Sequence, residues 1–84
     1  MKQFLVFIER KPSFTGSTIQ GHREFLQKLK NDNVLKVAGG FQDQTGGAYV
    51  IQVDSFDEAA NIVNQDPMKV ENDAIYTIKE WNAQ

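Results

Sequence analysis

The chain has 84 residues, no cysteine, and 9 Lys and Arg against 11 Asp and Glu, for a net charge of −2. A single domain of this size buries only about 60 to 65 % of the surface its unfolded chain exposes, and the lack of cysteine excludes disulfides, thiolate metal sites and a cysteine nucleophile together. The acidic balance argues against a nucleic-acid partner, which is held by clustered Lys and Arg neutralising phosphates, and Arg10 with Lys11 is too short a basic run to serve.

Residues 2–9, KQFLVFIE, are rich in β-branched and aromatic side chains and read as a first strand, closed by the Pro12 and Gly16 of the following loop. The apolar run FLVFI inside it is followed at once by Glu9, too soon for a signal-peptide core or a membrane span. Ser17 and Gln20 have the spacing of a capping box, and the stripe Ile19, Phe25, Leu26, Leu29 then predicts an amphipathic helix over about 18–31. VLKVAGGF (34–41) and GAYVIQVD (47–54) flank a polar, glycine-containing turn and predict an antiparallel hairpin. Ser55 and Glu58 form a second capping box, opening a helix with Phe56, Ala59, Ala60, Ile62 and Val63 on its apolar face, and Pro67 predicts its end at Asp66. AIYTIKEW (74–81) closes the chain as a fourth strand.

The order βαββαβ is that of the ferredoxin-like, split-βαβ fold, α+β in class, whose right-handed crossovers put both helices on one face of a four-stranded antiparallel sheet. The first strand alternates Phe4, Val6 and Ile8 with Leu5 and Phe7, so it is apolar on the uncovered face as well. A second copy of the chain, sheet against sheet, is the expected cover.

His22 is the chain's one histidine, and at about 100° per residue it projects within roughly 20° of Leu29 and roughly 40° of Leu26, toward the sheet. Burying an imidazole without a partner costs about 1 to 3 kcal/mol, so a partner is expected. Continuing the second helix's register brings Asp66 within roughly 20° of Ala59, also inward. A carboxylate accepting from one ring N–H would fix the tautomer and leave the other nitrogen as a general acid or base near neutral pH. Two readings of His22 stand side by side at this point: a hydrogen-bonded core residue, or a proton-transfer group. Asp66 divides the same way, because Asp before Pro is also an ordinary helix stop. One histidine among scattered carboxylates lacks the clustered donors of a metal site.

Gly39 and Gly40 late in the second strand suggest a bulge or a close backbone approach, by a ligand or a neighbouring element. No phosphate-binding glycine loop occurs. Arg10 and Arg23 are candidates to bind an anionic substrate near His22, against the usual solvent-facing role of arginine. Tyr76 and Trp81 are candidate pocket, core or dimer residues.

GHREFLQKL, AGGFQDQTGGAYV, EAANIVNQDPM and YTIKEW, in that order and at these spacings, resemble the YCII-related domain proteins over nearly the whole chain. The resemblance implies a dimeric α+β barrel of ferredoxin-like protomers, with an active site centred on His22 and Asp66. One branch of that family is similar to dehydrochlorinases of chlorinated hydroxyhydroquinones, and the architecture is shared with muconolactone isomerases, which points to a lyase or isomerase. Gly40 stands where many relatives carry proline, a departure that touches pocket shape more than the two polar residues.

The expectation is a cytoplasmic homodimer of one domain, residues 1–84, joined through the open sheet face, with a small-molecule ligand and neither nucleic acid, membrane, metal nor cofactor. His22 and Asp66 would be catalytic, and Arg10, Arg23, Gly39 and Gly40 substrate-binding, in proton abstraction with elimination or isomerisation of a small cyclic or aromatic oxygenated compound. The alternatives are a metabolite-binding or sensing module on the same fold, and a dimerisation domain with no ligand.

Overall fold

The computed structural model describes residues 1–84. The elements in chain order are β1 (Lys2–Arg10), α1 (Ile19–Asn31), β2 (Leu35–Gly40), β3 (Gly46–Val53), α2 (Phe56–Val63), α3 (Pro67–Val70) and β4 (Ala74–Glu80). The sheet order is β2-β3-β1-β4, with every neighbouring pair antiparallel, which is the ferredoxin-like α+β arrangement expected. β1 lies inside the sheet, hydrogen-bonded on both edges, as its two apolar faces require.

Register divides the sheet cleanly. Phe4, Val6 and Ile8 of β1 face the helices with Tyr49 and Ile51 of β3, and Leu29, Ala59, Val63 and Met68 close over them as one core. Leu5 and Phe7 point the other way, beside Val50 and Ala48 on one edge and Lys79 and Thr77 on the other. That second face carries Phe7, Val37, Ile75 and Trp81 at 38 to 59 % exposure. No helix is long and apolar enough to cross a membrane.

Three local expectations are corrected. The Ser17–Gln20 capping box does not form: Thr18 is the N-cap of α1, and its hydroxyl donates to Asp73 Oδ2 at 2.9 Å instead of capping the helix. α2 ends at Val63, and Asp66 is not its last residue but the N-cap of α3, with Pro67 as the first helical residue. Proline lacks an N–H that a first turn would leave unbonded anyway, so Asp-Pro starts a helix as readily as it stops one. The irregularity in β2 falls between Leu35 and Val37, at Lys36, and not at Gly39 and Gly40, which pair regularly with Ala48 and Gly47. The glycines that backbone contact demands are across the hairpin: a Cβ at Gly46 would lie 1.9 Å from Ile8 O, and one at Gly47 2.5 Å from Gly39 O.

Candidate functional site

α1 lies along the sheet on Ile19, Phe25, Leu26 and Leu29, which pack on the core and turn His22 toward α3. Gly21 sets how close that approach is: a Cβ there would stand 3.2 Å from Pro67 Cβ and Cγ, tighter than ordinary side-chain contact. Glycine inside a helix costs about 1 kcal/mol against alanine. Here it lets the backbone of α1 close on Pro67, the residue next to Asp66.

Asp66 is held by its own backbone. The pre-proline position keeps it extended, at φ −66° and ψ 120°, so its Oδ1 accepts from the Met68 N–H at 3.1 Å as an N-cap does. The residue is fully buried. A buried carboxylate needs several donors, and the fold delivers them. Tyr76 Oη donates to Oδ2 at 2.8 Å from β4, Tyr49 Oη reaches the same oxygen at 3.5 Å from β3, and His22 Nδ1 lies 2.8 Å from Oδ2 and 3.0 Å from Oδ1. No buried side-chain polar atom in the molecule lacks a partner.

The directions of these bonds follow from chemistry. Burial, then the negative charge of Asp66, then the hydrogen bond to it push both tyrosine phenols well above their ordinary value, so each remains a neutral donor. An ionised carboxylate only accepts, so Nδ1 of His22 carries a proton and donates. In the neutral ring the lone pair then lies on Nε2. Nε2 has no partner within the chain, and the His22 side chain is 15 % exposed. Since no partnerless polar atom is buried, that nitrogen is open to solvent or ligand.

His22 lines a cavity of about 280 Å³ between α1 and the β2–β3 hairpin, together with Arg10, Arg23, Gly39, Gly40 and Tyr49 among others. Five of the six site residues expected from the sequence therefore share one cavity wall, while Asp66 stands behind His22 and does not touch the cavity. The helical register pointed Asp66 inward, but its orientation comes from the N-cap of α3. Tyr76 packs against the core, as one of its expected roles has it, and its hydroxyl serves Asp66. Tyr49 and Gly21 are the site residues that sequence reasoning missed, and for Tyr76 it missed the bond to Asp66. Two signals were available: a tyrosine at an inward position of a central strand needs a partner for its hydroxyl, and a glycine inside an amphipathic helix marks a close approach.

The comparisons with known proteins agree with this architecture. The family model described as the YCII-related domain matches residues 3–82. The uncharacterised protein YjpA of Bacillus subtilis (strain 168) is 43 % identical over 81 residues, covering 96 % of this chain and 95 % of that protein. Among solved structures, 5-chloro-2-hydroxyhydroquinone dehydrochlorinase (TftG) of Burkholderia phenoliruptrix AC1100, in complex with 2,5-dihydroxybenzoquinone, superposes with a TM-score of 0.78. It covers 98 % of this chain and 95 % of its own at 22 % identity, a likeness of fold.

Proposed function

The chain belongs to the YCII-related domain family, and on that footing we propose that it is a cofactor-free small-molecule enzyme in which His22 transfers a proton and Asp66 orients it. The observation that carries this reading is one hydrogen-bonded unit: a buried carboxylate fixes one ring nitrogen at 2.8 Å, the other has no partner within the chain, and the ring lines a cavity. A histidine present only to fill the core would have both nitrogens sealed or bonded within the chain.

The reaction class is proton abstraction from carbon followed by elimination or isomerisation. Nε2 takes a proton from a carbon next to a carbonyl, and the electron pair moves onto the carbonyl oxygen to give an enolate. The pair then returns either to expel a leaving group or to take the proton back from His22 at a different carbon. Asp66 faces the imidazolium formed in between and keeps the ring in place. The substrate is a small cyclic or aromatic oxygenated compound: the cavity has the volume for a single ring, and the structural neighbour acts on a chlorinated hydroxyhydroquinone. Arg10, Arg23, Gly39 and Gly40 are the substrate-binding wall. The working form is a homodimer joined through the open sheet face, where Phe7, Val37, Ile75 and Trp81 lack cover.

The test is deuterium exchange. Phenols, lactones and chlorinated hydroquinones are incubated with the protein in D2O, and NMR follows label entering at carbon. Catalysed exchange in the wild type that falls about 10²-fold or more in His22→Gln, with compound still bound, is the expected result. Bound compound with no exchange in the wild type describes a binding or sensing module and overturns the reading.

A further inference from the structure

The cavity's charge is out of step with the rest of the molecule. Acidic residues outnumber basic ones by 11 to 9 in the sequence. Yet the titratable lining of the cavity comprises Arg10, His22, Arg23 and the phenol of Tyr49, with no Asp or Glu. Neither guanidinium is paired with a carboxylate, the one ion-pair contact in the molecule being His22 with Asp66. Arg10 is held from behind, its Nη1 donating to Gln44 O at 3.1 Å and its guanidinium stacked 4.4 Å over the Phe14 ring. Those contacts fix the direction of the side chain without neutralising it. Arg23 follows His22 directly on α1, so the two cations border the cavity from different elements, one from β1 and one from the helix.

We propose that the ligand of this cavity is a small planar oxyanion whose charged oxygens lie against Arg10 and Arg23 while its ring or carbon skeleton lies against His22 Nε2. This rests on the proton-transfer reading only for the role of His22; the charge selection stands without it. Arginine suits such a ligand because its planar fork bonds two oxygens at once. The same cations would favour the negative charge that develops on oxygen as a carbon-bound proton leaves. Gly40 supplies the room. A Cβ there would meet only Gly46 O, at 3.8 Å, so the chain's own packing does not require a glycine at this position, and the bare backbone leaves cavity volume free.

Matched probes test the idea: benzoate against benzamide, 2-hydroxybenzoate against 2-hydroxybenzamide, and 2-furoate against 2-furamide. Dissociation constants come from NMR titration, following the arginine side-chain Nε–H signals and the backbone amides of Gly40 and Gly47. The expected result is that at least one carboxylate binds tenfold or more tightly than its amide, with shifts centred on Arg23 and Gly40 and affinity falling as salt rises. Arg23→Gln, an exposed helix position, should bring the ratio near one, and Gly40→Leu should weaken acid and amide alike by filling the cavity. Equal affinities within every pair, binding elsewhere on the surface, or no binding of any carboxylate at 10-millimolar order would overturn the proposal. Anions that bind here without carbon exchange would instead leave it standing and remove the proton-transfer reading. Exchange on a neutral compound at the rate of its anion would do the reverse.

Discussion

Tyr49 and Tyr76 are neutral phenols beside a buried carboxylate, and that arrangement has an alkaline signature. Burial, the charge of Asp66 and the hydrogen bond to it raise both phenols above the ordinary value of 10.0 in the folded chain. The unfolded chain releases these protons above that value while the folded chain keeps them, so the unfolded state binds fewer protons there. Their contribution is therefore complete below about pH 10 and is lost progressively above it, by about 1.4 kcal/mol per pH unit for each phenol held neutral. Urea titrations at a series of pH values from about 9 to about 12 should show a steeper loss of stability in the wild type than in Tyr49→Phe/Tyr76→Phe. Coincident slopes would mean that the phenols are not held against Asp66. The residue scale is also where the sequence was only half legible. His22 shows in helical register, which needs no partner to read, whereas the register that pointed Asp66 inward ends at Val63, and the N-cap of α3 sets its direction instead. The tyrosines' bonds to Asp66 span 10 and 17 residues and exist only once α3 has settled over the sheet.

Helix starts show the same limit one level up. Ser17-x-x-Gln20 and Ser55-x-x-Glu58 have the same spelling, yet only the second acts as a cap. Ser55 Oγ accepts from the Glu58 N–H at 3.1 Å, and the Glu58 carboxylate reaches back to the Asp54 N–H at 3.4 Å. Ser17 instead accepts from the Thr15 hydroxyl at 3.0 Å, and Thr18 takes the cap position with its own hydroxyl tied to Asp73, 55 residues on. Ser55→Ala should thus cost about 1 kcal/mol, and Ser17→Ala less than about 0.5 kcal/mol, both read as a shift in urea midpoint at constant slope. Equal losses would restore the first capping box. Strands were easier to foresee than helix ends, because alternation in β1 and the polar turn between β2 and β3 are local facts. The end of α2 was not, since Asp66-Pro67 satisfies the rule for stopping one helix and the rule for starting the next, and packing against Gly21 accompanies the second outcome.

At the scale of the molecule, all but one side of the sheet is accounted for. The core cluster lies wholly between sheet and helices, and only 16 of 84 residues are buried, so a lone protomer has little reserve. On the bare side, Val50 is 4 % exposed yet lies outside that cluster, sheltered by its neighbours within the sheet, while Phe7 stacks on Phe41 at 5.1 Å with nothing above them. A face of this composition on an open sheet is what a two-fold partner of the same kind would complete. Sedimentation equilibrium should give twice the 9.5 kDa chain mass, and the melting temperature should rise with protein concentration, since only the folded state can pair. Val37→Lys is the sharpest variant because Val37 is 59 % exposed in the protomer. In a monomer that exchange would change stability by no more than about 0.5 kcal/mol. In a homodimer joined through this face it would place two ammonium groups in an apolar interface, and should return the protein to single-chain mass while abolishing the concentration dependence of melting.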